Sequence, residues 1–111
     1  MPKITALKVA RGLEKAFRPH DLCSIDKDYH VFVVAYSGSY VEHNHPADEF
    51  IFILEGELIL EVSGEEHVLR QGDGFLVPAG MLHRPRSARR TLGLVMERRG
   101  LQMSSTEVLS G

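Results

Sequence analysis

The sequence is most informative over residues 38–58, which read GSYVEHNHPADEFIFILEGEL. Two β-prone runs, YVEHNH (40–45) and EFIFIL (49–54), lie on either side of a Pro-Ala-Asp turn at 46–48. The next run, ELILEV (57–62), places its leucines and valine on one face and its two glutamates on the other. Because side chains alternate between the two faces of a strand, this pattern predicts a strand with one buried face and one face in water.

Similar runs continue along the chain from residue 30 onward. Glycine, proline and serine separate them at short intervals, and no helical periodicity lies between them. Seven closely spaced strands predict an all-β domain, a small antiparallel β-barrel or sandwich. The other four runs are VFVVAY (31–36), HVLR (67–70), GFLV (74–77) and TLGLVM (91–96).

Length and composition limit the classes of protein that need to be considered. The chain has 111 residues, a net charge of −2 and 43% hydrophobic residues, which is typical of one soluble domain. Its single cysteine, Cys23, excludes a disulfide framework within the chain. Without an apolar run long enough for a signal peptide or a membrane span, the expectation is a cytoplasmic protein with no membrane partner. The basic segments have no interleaved aromatic residues, so we expect no nucleic-acid partner either.

We expect three parts along the chain. Residues 1–27 form an N-terminal extension that packs on the barrel or on a partner, 28–100 form the barrel, and 101–111 form a C-terminal tail. Within the extension, Ile4–Val9 is interpreted as an edge strand and Arg11–Phe17 as a single helical turn.

The run EFIFIL is apolar on both faces, which is unusual for a strand of a small barrel. One face fills the core, and the other needs a different cover. A chain of this length has little material to provide it, so we predict a homodimer.

The histidines suggest a metal site. His43 and His45 are two residues apart in a β-run, which places both imidazoles on one face. Glu49 follows across the short turn, and His83 follows a rigid Pro-Ala-Gly turn farther along. Imidazole and carboxylate ligands without a thiolate suit Fe, Mn, Ni, Zn or Cu, and this set does not select among them. Asp48 competes with Glu49 as a ligand, but adjacent strand residues face opposite ways, which favours Glu49.

The wider pattern resembles a known family. It reads G-x4-H-x-H-x3-E-x6-G over residues 38–56 and G-x5-P-x-G-x2-H-x3-S over 72–87. These motifs resemble the two signatures of the cupin superfamily, G-x5-H-x-H-x3,4-E-x6-G and G-x5-P-x-G-x2-H-x3-N. The chain is similar to the short single-domain cupins often labelled mannose-6-phosphate-isomerase-like. It departs from the motifs by one missing residue before His43 and by Ser87 in place of the final asparagine.

The resemblance implies a jelly-roll barrel, the double-stranded β-helix, with a divalent transition metal inside. The implied ligands are His43, His45, Glu49 and His83. Three nitrogens and one oxygen leave about two positions open on an octahedral ion, where a small oxygen-bearing metabolite binds.

Two classes of function remain open on the sequence. One is a metal-dependent enzyme, an isomerase, hydrolase, lyase or dioxygenase. The other is a non-catalytic small-ligand-binding protein or a metal-stabilised structural cupin. Beyond the metal ligands, the polar candidates for the pocket are Tyr36, Tyr40 and Ser87, and none is identified as catalytic. The fold alone does not assign an activity.

Arg84 and Arg86 alternate with His83 along the chain. If His83 faces into the barrel, both guanidinium groups face away from it. We therefore expect them to pair with the acidic 42–66 region, the alternative being recruitment of an anionic substrate.

Overall fold

The computed structural model of the protein describes residues 2–100 and the short strand at 104–105. This part of the chain contains one helix and nine strands, and every strand pairing is antiparallel. The predicted all-β antiparallel fold is confirmed. The helix is α1 (Ala6–Arg11), and the strands are β1 (His20–Ile25), β2 (Tyr29–Ser39), β3 (His43–Asn44), β4 (Glu49–Glu55), β5 (Glu57–Val62), β6 (Glu65–Arg70), β7 (Gly74–Val77), β8 (His83–Arg98) and β9 (Ser104–Ser105).

The long strand β8 organises the barrel. Its second half lies between β2 and β4, with β1 beyond β2 and β7 beyond β4. Its first half pairs with β5, which in turn pairs with β6. At its very start, His83 pairs with His43 of β3. The predicted strand TLGLVM (91–96) is therefore part of a longer strand that begins at His83 and ends at Arg98.

The interior follows the alternation of β4 and β5. Ile51 and Ile53 of β4 are buried, and Leu58, Leu60 and Val62 of β5 are buried as predicted. Each such side chain contributes about 1.5–3 kcal/mol of burial free energy. The inner cluster consists of Phe32, Val34, Tyr36, Ile51, Ile53, Leu58, Leu60, Val62, Leu69, Val77 and Val95.

The other face of β4 is apolar too, and α1 covers part of it. Leu54 packs with the buried Ala10 of the helix in a second cluster on the outside of the sheet. An ion pair of 2.6 Å between Arg11 Nη2 and Glu55 Oε1 joins the end of the helix to the end of β4. The extension therefore supplies some of the cover that EFIFIL needs.

The interpretation of Ile4–Val9 as an edge strand and of Arg11–Phe17 as a helical turn is wrong. A helix forms over Ala6–Arg11 instead, and Gly12 caps its C-terminus. Ala6 and Leu7 lie four and three residues before Ala10, which places all three on one helical face against the sheet.

Two further segments join the sheet. His20–Ile25, within the predicted extension, pairs with β2 as strand β1. Ser104–Ser105, within the predicted tail, pairs with Asn44 and His43 of β3. The rest of that tail lies outside the described residues.

Gly56 fixes the link between β4 and β5. Its φ is 94°, and a Cβ there would lie 2.7 Å from Thr91 Oγ1 and 3.0 Å from the Thr91 Cα. The Thr91 hydroxyl donates to the Glu57 carbonyl at 2.8 Å and accepts from the Glu57 N–H at 3.1 Å. Only glycine suits both the left-handed backbone and this close approach to β8.

Candidate metal centre

The barrel contains a cavity of about 190 Å³ with polar residues at one wall and apolar residues around the rest. All four residues proposed as ligands on the sequence line it. The described residues that line it are Phe17, Pro19, Phe32, Val34, Tyr36, Tyr40, His43, His45, Glu49, Ile51, His83, Pro85, Val95 and Glu97.

Backbone carbonyls orient two of the three imidazoles. His43 Nδ1 lies 2.9 Å from the Val41 carbonyl oxygen, and His83 Nδ1 lies 3.0 Å from that of Met81. A carbonyl only accepts, so each Nδ1 carries the proton and donates it. The lone pair of the neutral ring is then on Nε2, which is the arrangement that a metal ligand requires.

The Glu49 carboxylate lies between His45 and His83. Its Oε1 lies 3.3 Å from His83 Nε2, and its Oε2 lies 3.4 Å from His45 Nε2. The centroid of the His43 ring lies 4.2 Å from that of His83 and 4.9 Å from that of His45. The structure thus brings together the residues of the predicted set, three imidazoles and one carboxylate.

The chemistry of these donors fits a divalent ion. Among the described residues, Nε2 of both His45 and His83 is buried without an aligned hydrogen bond, although each faces the Glu49 carboxylate. Buried polar atoms rarely stay unpaired, and a cation bound by all three groups would satisfy them together. One donor atom from each of His43, His45 and His83 lies within 4.8 Å of the other two.

Burial and neighbouring charges shift the pKa values of the candidate ligands. Burial lowers the pKa of His43 to about 4, so its ring is neutral at physiological pH. For Glu49, burial acts to raise the pKa, but the close polar contacts with His45, His83 and Glu97 outweigh burial, and the pKa is lowered. Burial acts to lower the pKa of His45, whereas the adjacent Glu49 carboxylate and its charge raise it overall. The carboxylate is therefore ionised and at least one imidazole is neutral.

Asp48 has a different role from its neighbour Glu49. Its Oδ1 accepts a hydrogen bond of 2.9 Å from the Ala79 N–H, and the Gly80 N–H donates to the His45 carbonyl at 2.7 Å. These bonds join the turn before β4 to the turn before β8. The turn that leads from His45 to Glu49 and the turn that leads to His83 are thereby held against each other.

Glu97 is a site residue that the sequence reasoning missed. It pairs in register with Glu49 across β4 and β8, and one carboxylate oxygen of each residue lies within 4.8 Å of the other. Burial and the neighbouring Glu49 raise the pKa of Glu97 to about 7. Strand periodicity could have identified it, because extending the strand TLGLVM (91–96) by one residue places Glu97 on the same face as the buried Val95.

A line of polar side chains connects Glu97 with the surface. His30 Nε2 lies 3.3 Å from Glu97 Oε1, and His30 Nδ1 lies 3.3 Å from Asp21 Oδ1. The Asp21 side chain is 60% exposed, whereas that of Glu97 is 14% exposed. The histidine thus bridges a buried carboxyl group and a solvated one.

The remaining sequence candidates divide between the cavity and its surroundings. Tyr36 and Tyr40 line the cavity, whereas Ser87 does not. The expected pairing of the arginines is confirmed, since Arg84 Nε lies 3.8 Å from Glu61 and Arg86 contacts both Glu61 and Glu66 at 3.2 and 2.5 Å. Anion recruitment therefore receives no support from these two arginines.

Comparison with known proteins agrees with this architecture. The family model described as "Cupin domain" matches residues 30–95, and the chain therefore belongs to the cupin domain family. A crystal structure of a cupin-2 domain containing protein from Shewanella frigidimarina superposes with a TM-score of 0.82, covering 86% of this chain and 94% of that chain. At 23% identity, this likeness shows the fold.

Two relatives match parts of the chain more closely in sequence. The uncharacterized protein YdbB of Bacillus subtilis is 40% identical over 72 residues, which are 63% of this chain and 64% of YdbB. The 3-hydroxyanthranilate 3,4-dioxygenase of Bos taurus is 41% identical over 64 residues, which are 54% of this chain and 22% of that enzyme. The match thus spans less than two thirds of either relative. In its described part, the chain has no helix of the length and apolarity needed to cross a membrane.

Proposed function

We propose that this cupin is an iron(II)-dependent dioxygenase acting on a small, single-ring aromatic substrate that carries a hydroxyl group. His43, His45, Glu49 and His83 hold the ion in this proposal. The observation that carries it is the convergence of three imidazoles and one carboxylate at the wall of a largely apolar cavity.

The donor set and the relatives favour this chemistry over the others that the sequence left open. Sites of histidines and a carboxylate with open positions are typical of non-haem iron(II) oxygenases. A relative 41% identical over 64 residues is a dioxygenase for 3-hydroxyanthranilate. An iron(II) ion at this site would supply open positions for an oxygen-bearing substrate and for dioxygen.

The apolar wall determines what kind of molecule enters. Phe32, Val34, Ile51 and Val95 present hydrocarbon surface, which excludes water and favours the faces of an aromatic ring. An engineered protein cavity of ~150 Å³ binds benzene. The cavity of about 190 Å³ therefore accommodates one ring with small substituents.

Glu97 is the proton-carrying group in this proposal. In the metal-free site, burial and Glu49 raise its pKa to about 7, so both protonation states are populated near neutral pH, which suits a general acid or base. It lies in the cavity, where it can take the proton of a substrate hydroxyl group at its carboxylate oxygen. His30 and Asp21 then offer a route by which the proton exchanges with solvent.

The experiment combines metal analysis with oxygen uptake. Protein purified without oxygen is analysed for transition metals, loaded with iron(II), and mixed with 3-hydroxyanthranilate or catechol in an oxygen electrode. We expect one ion per chain and oxygen consumption that His83→Ala abolishes and the exposed His20→Ala leaves intact. Metal content below ~0.2 equivalents with no uptake on titration would contradict the site. Metal and catechol binding without oxygen consumption would instead indicate the non-catalytic binding role.

We also propose that a second copy of the chain covers the outer face of β4. Phe50 pairs in register with Leu76 of β7 and with Met96 of β8, which forms an apolar row across three strands. Leu76 is 54% exposed. Within the described residues, β7 pairs only with β4, so this apolar face reaches an open sheet edge.

A further inference from the structure

The segment between α1 and β1 closes the cavity with an aromatic side chain. Phe17 lies outside the part of the chain that the family model matches, yet its ring lines the cavity beside the candidate ligands. The ring stacks on Tyr40 with centroids 4.9 Å apart and meets the edge of Tyr36 at 6.1 Å. Tyr40 in turn lies 5.4 Å from the His43 ring. A continuous aromatic series therefore leads from the N-terminal segment to the metal centre.

The backbone holds this ring in place at a conformational cost. Phe17 has a φ of 61°, in the left-handed region that bulky residues seldom adopt. Its N–H donates a hydrogen bond of 2.7 Å to the Ala35 carbonyl of β2. On the other side, the Arg90 guanidinium donates to the carbonyls of Ala10 and Leu13. The segment is thus bonded to β2 and to β8 at both ends of the turn.

The conformation indicates that the ring itself has a use. Glycine adopts this φ without steric cost, so a residue needed only for the turn would be served better by glycine. Phenylalanine adds one thing, an apolar ring that narrows the cavity between Tyr36 and Tyr40. Gly93 makes room for this arrangement, since a Cβ there would lie 2.7 Å from the Tyr36 ring.

We propose that Phe17 is a specificity-determining residue that limits the ligand to one aromatic ring. This inference rests on the proposal that the cavity is the substrate site. Its chemical content is steric: the Phe17 ring occupies the volume that a second fused ring of a ligand would need. A smaller residue at position 17 lengthens the cavity toward Pro19 without altering any candidate ligand of the metal.

The test compares two probes in the zinc-loaded protein, because zinc is not redox-active and removes oxidation from the experiment. Phenol and 2-naphthol, which have one ring and two, are titrated by calorimetry into wild type, Phe17→Gly, Phe17→Leu and the control Arg18→Ala, an exposed neighbour. We expect Phe17→Gly to raise the affinity for 2-naphthol relative to that for phenol at least ~10-fold. The affinity ratio of Phe17→Leu should lie between those of wild type and Phe17→Gly, and that of Arg18→Ala should match wild type. An unchanged ratio in Phe17→Gly, or no binding of either probe to any of the four proteins, would overturn the proposal.

A second measurement does not depend on removing the ring. The chain contains no tryptophan, so Phe17→Trp introduces a single fluorophore at the cavity mouth. Cobalt(II), a paramagnetic quencher, should reduce its emission when it binds, and a control tryptophan at exposed Arg18 should be quenched less. Equal quenching at both positions would contradict the placement of residue 17 beside the site. If the iron-loaded protein takes up no oxygen but Phe17→Gly changes the ratio of the phenol and 2-naphthol affinities, the dioxygenase proposal is refuted and the role of Phe17 stands.

Discussion

Replacing Glu97 by glutamine should stabilise the metal-free protein, and the gain should grow with pH. The folded-state pKa of Glu97, about 7, lies above its ordinary value of 4.5 because of burial and the adjacent Glu49. A group whose pKa is raised on folding contributes its stability fully below the unfolded pKa, and that contribution is lost as pH rises through the folded pKa. Glutamine keeps the shape and a hydrogen-bond donor toward Glu49 but has no proton to lose.

The size of the effect follows from the same two values. The difference between 4.5 and about 7, at ~1.4 kcal/mol for each pH unit, gives an upper limit of about 3.5 kcal/mol well above pH 7. Urea unfolding in the presence of a chelator, at intervals from pH 4.5 to 8, measures the difference between Glu97→Gln and wild type. Glu14→Gln, at an exposed position, is the matched control. A difference that stays constant within ~0.5 kcal/mol over this range would refute the raised pKa of Glu97.

Three further predictions concern the metal and the assembly. His83→Ala should weaken metal binding at least ~100-fold, measured by competition with a chromophoric chelator, whereas the control His20→Ala should leave the affinity unchanged. The reason is that a zinc site with a binding free energy of ~10–16 kcal/mol gains about 3 kcal/mol from each of its four ligands. Chelation of the metal should lower the melting temperature by less than ~15 °C, because the inner cluster stabilises the fold. A larger drop, which corresponds to several kcal/mol in the free energy of unfolding of a domain this size, would indicate a structural metal. Light scattering should give a mass near twice the 12.4 kDa of one chain, Leu76→Glu should reduce it, and a wild-type mass of one chain would contradict the dimer.

The sequence predicted the fold and the candidate ligands because both depend on local patterns. Strands with a period of two place their apolar residues inward whatever their partners are, which is why the buried face of β5 was predictable. The same period places His43 and His45 on one face, and the turn residues fix where Glu49 starts the next strand. His83 is the exception, because it joins these residues through the pairing of β8 with β3, and the cupin resemblance rather than a local pattern implied its place in the set.

The residues that sequence reasoning missed depend on distant pairings. Glu97 becomes part of the site only because β8 continues far enough to place it opposite Glu49. His30 becomes its neighbour through the pairing of β2 with β8. The helix at Ala6–Arg11 is too short to form by itself and exists because its apolar face packs on the sheet. A single sequence gives little information about such contacts.

The residues that line the cavity fall into two groups, those within the part of the chain that matches the cupin domain and those outside it. The donors His43, His45, Glu49 and His83 all lie within residues 30–95, the part of the chain that matches the cupin domain. Phe17 and Glu97, to which we assign the limit on ligand size and the proton transfer, line the cavity but lie outside that part. Residues within the family match thus supply both the candidate metal ligands and most of the apolar wall, whereas the proposed limit on ligand size rests on Phe17, which the match does not cover. For this reason, exchanging residue 17 should change which aromatic ligand binds, and exchanging His83 should change whether a metal binds at all.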